Sequence, residues 1–456
     1  MPMILGRPLT AAERRKSQRL YGAFSFGNGM SYMCLGENLM VLFAVQLGAP
    51  NAVVALLGAM QFIGYAMLPL GVRHTSRRGA ATCQADFWIA RNMAALLTAS
   101  AALVWRVSPP AAWGLVLLGA LLFYGFRAAG GVLFTPLMGD VSTEEEAPGV
   151  IGFTTALFNV SAVATLAAIT AATHRWQGRD ALAAVIVLGA LLGIGSSFFL
   201  RGMCETGAIR DAAREPLLSG MRDALHNRDL LRLTLAWFLL NLVSILLVPI
   251  STLAIKRGCG FGDTQALLCA CAQFAGGIAS SFASGRLCRR FGPRRVLFAG
   301  LLGCATVPFA WLLFPVGAGP QTALAASLSL FFWLGGFFYL IYNSTNSYFL
   351  LACPDKKAQV AGSIAVNLAA GGGAGVIGSA VGAWLVSRAA DWAPALGGVF
   401  DGTLGPFRLY FLILLPIAAA AAVACLALRT KVYSYRREHG EEALRRAVSF
   451  GHHRKH

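Results

Sequence analysis

The sequence alternates between long apolar segments and short polar ones. A helix needs about 20 apolar residues to cross a lipid bilayer, and twelve segments reach that length. We number them spans 1 to 12; they lie at about 21–47, 51–71, 87–106, 111–137, 150–173, 181–200, 231–255, 264–285, 296–315, 322–352, 360–386 and 408–428. The pattern predicts an all-α membrane protein with twelve transmembrane helices.

The composition supports this interpretation, because only 13% of the 456 residues are charged and 57% are hydrophobic. Soluble domains carry about 25% charged residues, so a disordered chain and a small disulfide scaffold are excluded and the composition argues against a soluble enzyme. The ten cysteines lie mostly inside apolar segments, without the spacing of a zinc site. No phosphate-binding G-x-x-x-x-G-K-[ST] loop occurs. We therefore expect no enzymatic activity, no cofactor and no metal site.

The net charge of +18, from 38 basic and 20 acidic residues, lies largely between the spans. Basic residues accumulate in the cytoplasmic loops of membrane proteins, which explains the charge without nucleic-acid binding. Basic clusters precede span 1 and follow spans 2, 8, 10 and 12; they include Arg14, Arg15, Lys16, Arg77, Arg78, Arg289, Arg290, Lys356, Lys357, Arg436 and Arg437. We expect an integral protein of a plasma membrane, such as a bacterial inner membrane, with both termini cytoplasmic.

A charged interval at residues 201–230 divides the spans into two groups of six. The predicted order is a cytoplasmic N-terminal segment (1–20), an N-terminal six-helix bundle (21–200), a cytoplasmic linker with an amphipathic helix (201–230), a C-terminal six-helix bundle (231–428) and a basic cytoplasmic tail (429–456). The tail ends in a histidine-rich stretch. Contact with anionic membrane lipid is favoured there over metal binding.

The two groups of six spans share a sequence register. Asn28 and Asn241 differ by 213 positions, and the segments 61–64 (Gln-Phe-Ile-Gly) and 273–276 (Gln-Phe-Ala-Gly) differ by 212. The loops that follow keep the offset, with Arg77 matching Arg289 and Gly79 matching Gly292. Parallel repeats of this kind are typical of transporters whose halves rock about a central site.

The loop after span 8 runs from Gly285 to Arg295 and reads G-R-L-C-R-R-F-G-P-R-R. It resembles the G-x-L-x-D-R-x-G-R-R loop signature of the major facilitator superfamily, and a weaker copy follows span 2. Both copies lack the acidic residue of the signature. The resemblance covers nearly the whole chain and implies two pseudo-symmetric six-helix halves with alternating access. It also implies gating loops, here formed by Arg73, Arg77, Arg78, Gly79, Gly285, Arg286, Arg289, Arg290, Gly292 and Arg294.

Two ionisable residues within spans are candidates for proton coupling, since charged groups in a bilayer are costly and usually functional. Glu37 lies deep in span 1 among methionines, where desolvation favours its neutral form and lets it exchange a proton. Arg127, in the middle of span 4, resembles the R-x-x-x-G element of proton-driven members of the superfamily and is expected to tune Glu37. Fixed structural pairing is the alternative for both. Arg91, near Asp86 in span 3, is interpreted as an interface charge or a local ion pair.

Neutral polar and aromatic side chains recur in spans that line the cavity in this superfamily. Amides offer donors and acceptors without fixed charge, which suits a neutral or zwitterionic solute, and aromatic rings can stack on it. Interhelical hydrogen bonding is the alternative. The candidate substrate-binding residues are Asn28, Gln61, Asn159, Asn241, Gln273, Trp333, Tyr339, Asn343 and Asn367. The glycine-rich run 371–375 in span 11 is a candidate flexing point.

The sequence therefore predicts a monomeric secondary transporter of a small polar or amphipathic organic solute, coupled to protons or to sodium. The first alternative is proton-driven efflux of drug-like compounds. Span 5 lacks the G-x-x-x-G-P-x-x-G-G element usual in drug exporters of the superfamily, which argues against a standard exporter. The second alternative, from another class, is a non-transporting sensor or scaffold on the same fold. The expected partners are the solute, the coupling ion and membrane lipids.

Overall fold

The computed structural model describes residues 3–176, 178–216, 222, 226–315 and 319–429. The predicted basic tail, apart from Arg429, and part of the predicted linker lie outside the described residues.

The chain folds into helices that correspond to the predicted spans. In the first half they are Ala11–Leu35 and Glu37–Gln46 (span 1), Asn51–Ile63, a 3₁₀ turn Gly64–Met67 and Leu68–Arg78 (span 2), Ala80–Val104 (span 3), Pro109–Gly131 and Phe134–Asp140 (span 4), Ala147–Arg175 (span 5) and Arg179–Arg201 (span 6). In the second half they are Arg228–Leu253 and a π segment Ala254–Gly258 (span 7), Asp263–Phe291 (span 8), Pro293–Leu312 (span 9), Pro320–Ala352 (span 10), Lys356–Val366, a π segment Asn367–Gly373 and Ala374–Leu396 (span 11), and Gly405–Leu426 (span 12). A helix Ala208–Ala212 and a 3₁₀ turn Gly398–Phe400 lie between spans.

Eleven of the described helices are long and apolar enough to cross a membrane, and they correspond to spans 2 to 12. Span 1 is divided at Gly36, whose extended backbone separates its two helices. Its first helix also begins at Ala11, ten residues before the predicted boundary. Thr10 and Glu13 form a reciprocal capping box there, which satisfies free amide groups and starts the helix within the polar segment.

Each half is held together by close approach of helix backbones at glycines. A Cβ placed on Gly64 of span 2 would lie 2.8 Å from backbone atoms of Tyr124 in span 4. A Cβ on Gly276, its repeat equivalent in span 8, would lie 2.8 Å from the carbonyl carbon of Phe332 in span 10. Small residues allow this contact, which contributes much of helix association in lipid. The sequence repeat is thus a repeat of packing contacts.

The two signature loops contain equivalent glycine turns. Gly79 (φ 87°) ends span 2 and starts span 3, and Gly292 (φ 84°) ends span 8 and starts span 9. A positive φ strains any residue with a Cβ, so these two positions require glycine for a hairpin without intervening residues.

A two-stranded parallel sheet lies at one end of the bundle. Strand β1 (Met3–Ile4) pairs with strand β2 (Cys204–Glu205), which follows span 6. We call this end, with β1, β2 and the helix Ala208–Ala212, the linker face. The Glu205 side chain is only 1% exposed, and its Oε2 accepts hydrogen bonds from the backbone N–H groups of Ala80 (2.9 Å) and Ala81 (3.3 Å) at the start of span 3. Burial raises the pKa of the Glu205 carboxyl to about 7.

We expect the stability of the protein to depend on pH through Glu205. A carboxyl with a folded-state pKa of about 7 and an unfolded value near 4.3 binds a proton more readily when folded. Its contribution is therefore most favourable at acidic pH and is lost as the pH rises from about 5 to 7. Glu205→Gln keeps an acceptor for the two amides but cannot titrate. The melting temperature of the wild type, measured in detergent from pH 5 to 8, should fall relative to that of this variant.

The matched variant Glu205→Ala removes the acceptor and leaves two buried amide groups unpaired, at a cost of about 1–3 kcal/mol at every pH. If the melting temperatures of the wild type and Glu205→Gln changed with pH in parallel, a raised pKa of Glu205 would be contradicted.

Candidate functional site

A cavity of about 1050 Å³ lies between the two halves of the bundle. Both halves contribute to its wall, with spans 1 to 5 on one side and spans 7, 10, 11 and 12 on the other. It reaches from Gln84 and Phe349, near the linker face, to Gly58 and Ile250, near the opposite ends of spans 2 and 7. A central cavity with walls from both repeats is suited to a solute that is released by relative motion of the halves.

Contacts between the halves close the cavity toward the linker face. The Thr135 hydroxyl of span 4 donates to Oδ1 of Asn346 in span 10 at 2.6 Å. Two ion pairs accompany this contact. Nζ of Lys356 in span 11 lies 3.9 Å from Oδ1 of Asp140 in span 4, and Lys357 pairs with Glu215 of the linker segment. Passage toward the linker face therefore requires these contacts to break.

Five of the nine predicted substrate-binding residues line the cavity: Asn28, Gln61, Asn241, Tyr339 and Asn367. Three of their amides also form hydrogen bonds within the bundle. Oδ1 of Asn28 accepts from the indole N–H of Trp88 at 2.9 Å, and Nδ2 of Asn241 donates to the carbonyl of Trp237 at 2.9 Å. Nδ2 of Asn367 donates to the carbonyl of Ser363 at 2.7 Å. Each retains groups that can face a solute.

The structure places the other four predicted residues away from the cavity wall. Trp333 is 57% exposed on the outer surface of span 10 and stacks on Phe337, so the prediction that it contacts solute is corrected. Gln273 is half-buried beside the backbone contact between spans 8 and 10. Asn159 is fully buried against Gly277.

Asn343 belongs to a hydrogen-bond network instead of the cavity wall. Its Nδ2 donates to the hydroxyls of Ser281 (3.3 Å) and Ser284 (3.2 Å) in span 8, and its Oδ1 accepts from Thr155 (3.0 Å) in span 5. This is the interhelical bonding that was the alternative for the amides, and it joins the two halves.

Arg127 lies on the cavity wall, and its guanidinium carbon is 5.0 Å from the centroid of the Tyr32 ring. Cation–π contact of this kind stabilises a guanidinium without neutralising it. The Glu37 side chain lies outside the described part of the structure, so its predicted pairing with Arg127 stays a prediction.

Arg91 is a cavity residue that sequence reasoning placed incorrectly. It is 1% exposed, and its guanidinium carbon lies 5.1 Å from the ring centroids of both Trp88 and Phe123. Asp86 pairs instead with His74, Arg78 and Arg201, each at 2.9 Å. The missed signal is spacing: residues five apart on a helix point to different sides, so Asp86 was not its natural partner.

Spans 2 and 11 meet at the cavity through segments that are not α-helical. The 3₁₀ turn Gly64–Met67 packs against the π segment Asn367–Gly373, with the Tyr65 ring against Gly371. Such segments inside helices often mark hinges or functional sites. The predicted flexing point in span 11 therefore coincides with a local change of helix type.

The signature loops lie at the linker face, as do the helix ends that they join. Arg78 pairs with Asp86. Arg73, His74 and Arg77 line a shallow surface pocket. Nη2 of Arg294 donates to the carbonyl of Leu426 in span 12 at 2.8 Å. Gly285 packs on the backbone of Gly149 in span 5, and Arg290 lies over the Phe291 ring. Arg286 and Arg289 are exposed. These contacts support the helix ends; the gating role of the loops stays a prediction.

Within the residues that the structure describes, no three His, Cys, Asp or Glu side chains cluster closely enough to hold a metal ion.

Several solved transporter structures are similar in fold to this chain at 12–14% sequence identity. The proton:xylose symporter XylE matches with a TM-score of 0.65 and 12% identity over 91% of this chain and 95% of that one. The fucose:proton symporter FucP of E. coli matches with a TM-score of 0.61 and 14% identity over 90% and 98%. A bacterial homologue of the iron transporter ferroportin, in an outward-facing state with soaked iron, matches with a TM-score of 0.64 and 13% identity over 91% and 98%.

At this identity the structural likeness shows the fold alone, and no curated protein sequence matches the chain. The family model described as Major Facilitator Superfamily matches residues 25–379, most of the chain. Together with two six-helix halves about a central cavity, this match shows that the chain belongs to the major facilitator superfamily.

Proposed function

We propose that this protein is a secondary transporter that binds a small polar or amphipathic organic solute in the central cavity and moves it by alternating access. The observation that carries the proposal is the cavity itself: both halves form its wall, and polar side-chain contacts between the halves close one end. A single hydrogen bond of this kind contributes only about 0.5–1.5 kcal/mol to stability, so such polar contacts can be broken and remade at modest cost.

We assign the linker face to the cytoplasm, since the basic clusters of the chain gather there. The conformation described here, closed at the linker face, is then outward-facing. A monomer suffices for this function, because one chain supplies both halves of the cavity wall.

Two solved structures of the same fold carry the names of proton:sugar symporters, which supports proton coupling as part of the proposal. Glu37 is the proposed proton carrier, because it is the acidic residue that sequence analysis places deep in a span.

A disulfide across the linker-face closure should trap the transporter. Thr135→Cys with Asn346→Cys replaces a 2.6 Å hydrogen bond between the halves, so oxidation should form a bond that prevents opening. A solute is first identified by thermal-shift screening, since a ligand stabilises the folded state by mass action. Counterflow of that solute in proteoliposomes should be lost on oxidation and return on reduction, while solute binding persists.

Each single cysteine variant, and the wild type with its native cysteines, serves as a control under the same oxidant. Full counterflow through the oxidised double variant, with the disulfide verified by mass spectrometry, would refute alternating access across this closure.

Glu37→Gln should abolish accumulation of the solute driven by an imposed pH gradient but leave counterflow intact. Glutamine keeps the shape of the side chain and cannot carry a proton, whereas counterflow needs no net proton movement. The measurement compares both activities in the same proteoliposome preparation. Accumulation by the variant equal to that of the wild type would show that the coupling proton is carried elsewhere.

A further inference from the structure

The charged residues on the described cavity wall are all cationic and all lie in the N-terminal half. They are Arg91 of span 3 and Arg127 of span 4, and the described lining includes no Asp, Glu, His or Lys. Among the described residues no carboxylate forms an ion pair with either guanidinium. Two positive charges thus face a common cavity inside the membrane, where an uncompensated charge is costly.

Among the described residues, the surroundings of Arg127 supply hydrogen-bond donors and no negative charge. Its described titratable neighbours include the phenols of Tyr32, Tyr65 and Tyr124. A phenol is uncharged near neutral pH and can donate its proton to an anion. The guanidinium itself has only donors, in a planar fork that matches a carboxylate or phosphate.

Arg91 is held rigidly and still has an unused donor. Its Nη2 makes long hydrogen bonds to the Ser31 hydroxyl (3.4 Å) and to Oδ1 of Asn92 (3.3 Å). Its Nε is buried without a hydrogen-bond partner in the described structure. The rings of Trp88 and Phe123 both pack against the guanidinium and restrict its orientation before any ligand arrives.

The C-terminal half contributes no charged residue to the described cavity wall. At the repeat offset of 212, the equivalent of Arg127 is Tyr339, which also lines the cavity. At the offset of 213, the equivalent of Arg91 is Cys304, a buried residue of the C-terminal core. The opposite wall instead presents Trp237 and Tyr342, whose ring centroids are 6.0 Å apart.

We propose that the transported solute is an organic anion, with its carboxylate or other acidic group bound by Arg127 and Arg91 and its uncharged body placed against Trp237 and Tyr342. This inference rests on the proposed function for the location of the solute. The inference extends the proposed function by naming the chemical class of the solute and the orientation of the solute between the halves. An anion would supply the negative charge that the described wall lacks, and the donor-rich wall would discriminate against cations.

The first test needs no knowledge of the solute. Arg127→Gln removes one of two like charges, so the melting temperature of the empty protein, in a buffer with chloride as the sole anion, should equal or exceed that of the wild type. A fixed bridge between Arg127 and Glu37 predicts the opposite. In that case Arg127→Gln would lower the melting temperature and Glu37→Gln would restore it in the double variant, which would overturn the proposal.

The second test compares organic anions with their neutral isosteres by thermal shift. The pairs are benzoate and benzamide, indole-3-acetate and indole-3-acetamide, hexanoate and hexanamide, and succinate and succinamide. At least one anion should stabilise the wild type more than its amide does. Arg127→Gln should weaken the apparent affinity for that anion at least about tenfold, because a charge-assisted hydrogen bond is lost. Arg127→Lys should lose less, since the charge remains.

Arg388→Gln is the matched control, because it removes an exposed positive charge that pairs with Asp391 away from the cavity. It should bind the anion as the wild type does. The proposal would be overturned if no anion stabilised the wild type more than its amide does. It would also be overturned if Arg388→Gln weakened anion binding as much as Arg127→Gln does. Stabilisation by phosphatidylglycerol in nanodiscs but by no free anion would also overturn it, since a lipid headgroup would then be the ligand.

The two proposals fail separately. Binding of an anion that shows no counterflow would refute transport while supporting the anion site. Counterflow of a neutral solute without anion binding would refute the anion site while supporting transport.

Discussion

Close approach of helix backbones is the constraint on which the rest of this structure depends. Helices in lipid gain little from burying apolar side chains against each other, so packing and small residues must hold them together. Gly64 and Gly276, at the same register of the two repeats, bring their spans against the backbones of Tyr124 and Phe332. Spans joined in this way cannot slide without losing many contacts at once. Each half therefore behaves as one body, and movement is directed to the interface between the halves.

The contacts at that interface are more varied. The linker-face closure includes side-chain hydrogen bonds and ion pairs, such as Thr135 with Asn346 and Asp140 with Lys356. It also includes the backbone contact of Gly285 with Gly149 and apolar packing of span 11 through Val360 and Ile364. Spans 2 and 11 meet where both depart from α-helical geometry. A 3₁₀ turn and a π segment differ from an α-helix by single hydrogen-bond shifts, so they can absorb small rotations that a regular helix would resist. Rigid bodies with an adaptable interface are what alternating access requires.

The sequence predicted the fold well, because apolar segments of spanning length and an internal repeat depend only on local composition and register. It predicted the site less well. Trp333 was assigned to the cavity although it faces outward, since lipid-facing and protein-facing sides of a span are equally apolar and hydropathy does not separate them. Arg91 was interpreted as an interface charge or as a local partner of Asp86, whereas Asp86 bonds to residues from spans 2 and 6. Partners that come from other spans cannot be read from local spacing.

On the described cavity wall both charged residues belong to the N-terminal half, and this placement affects how a solute would travel. In the proposed binding mode, Arg91 and Arg127 belong to the same rigid half, so an anionic group bound between them keeps its contacts while the halves rock. The C-terminal wall, with Trp237 and Tyr342, is the surface that moves relative to the solute. Ring contacts change little in energy when they slide, whereas a buried guanidinium that lost its anion midway would face the full cost of desolvation. In the proposed binding mode, placing both charges on one side of the cavity therefore lowers the barrier to relative motion of the halves.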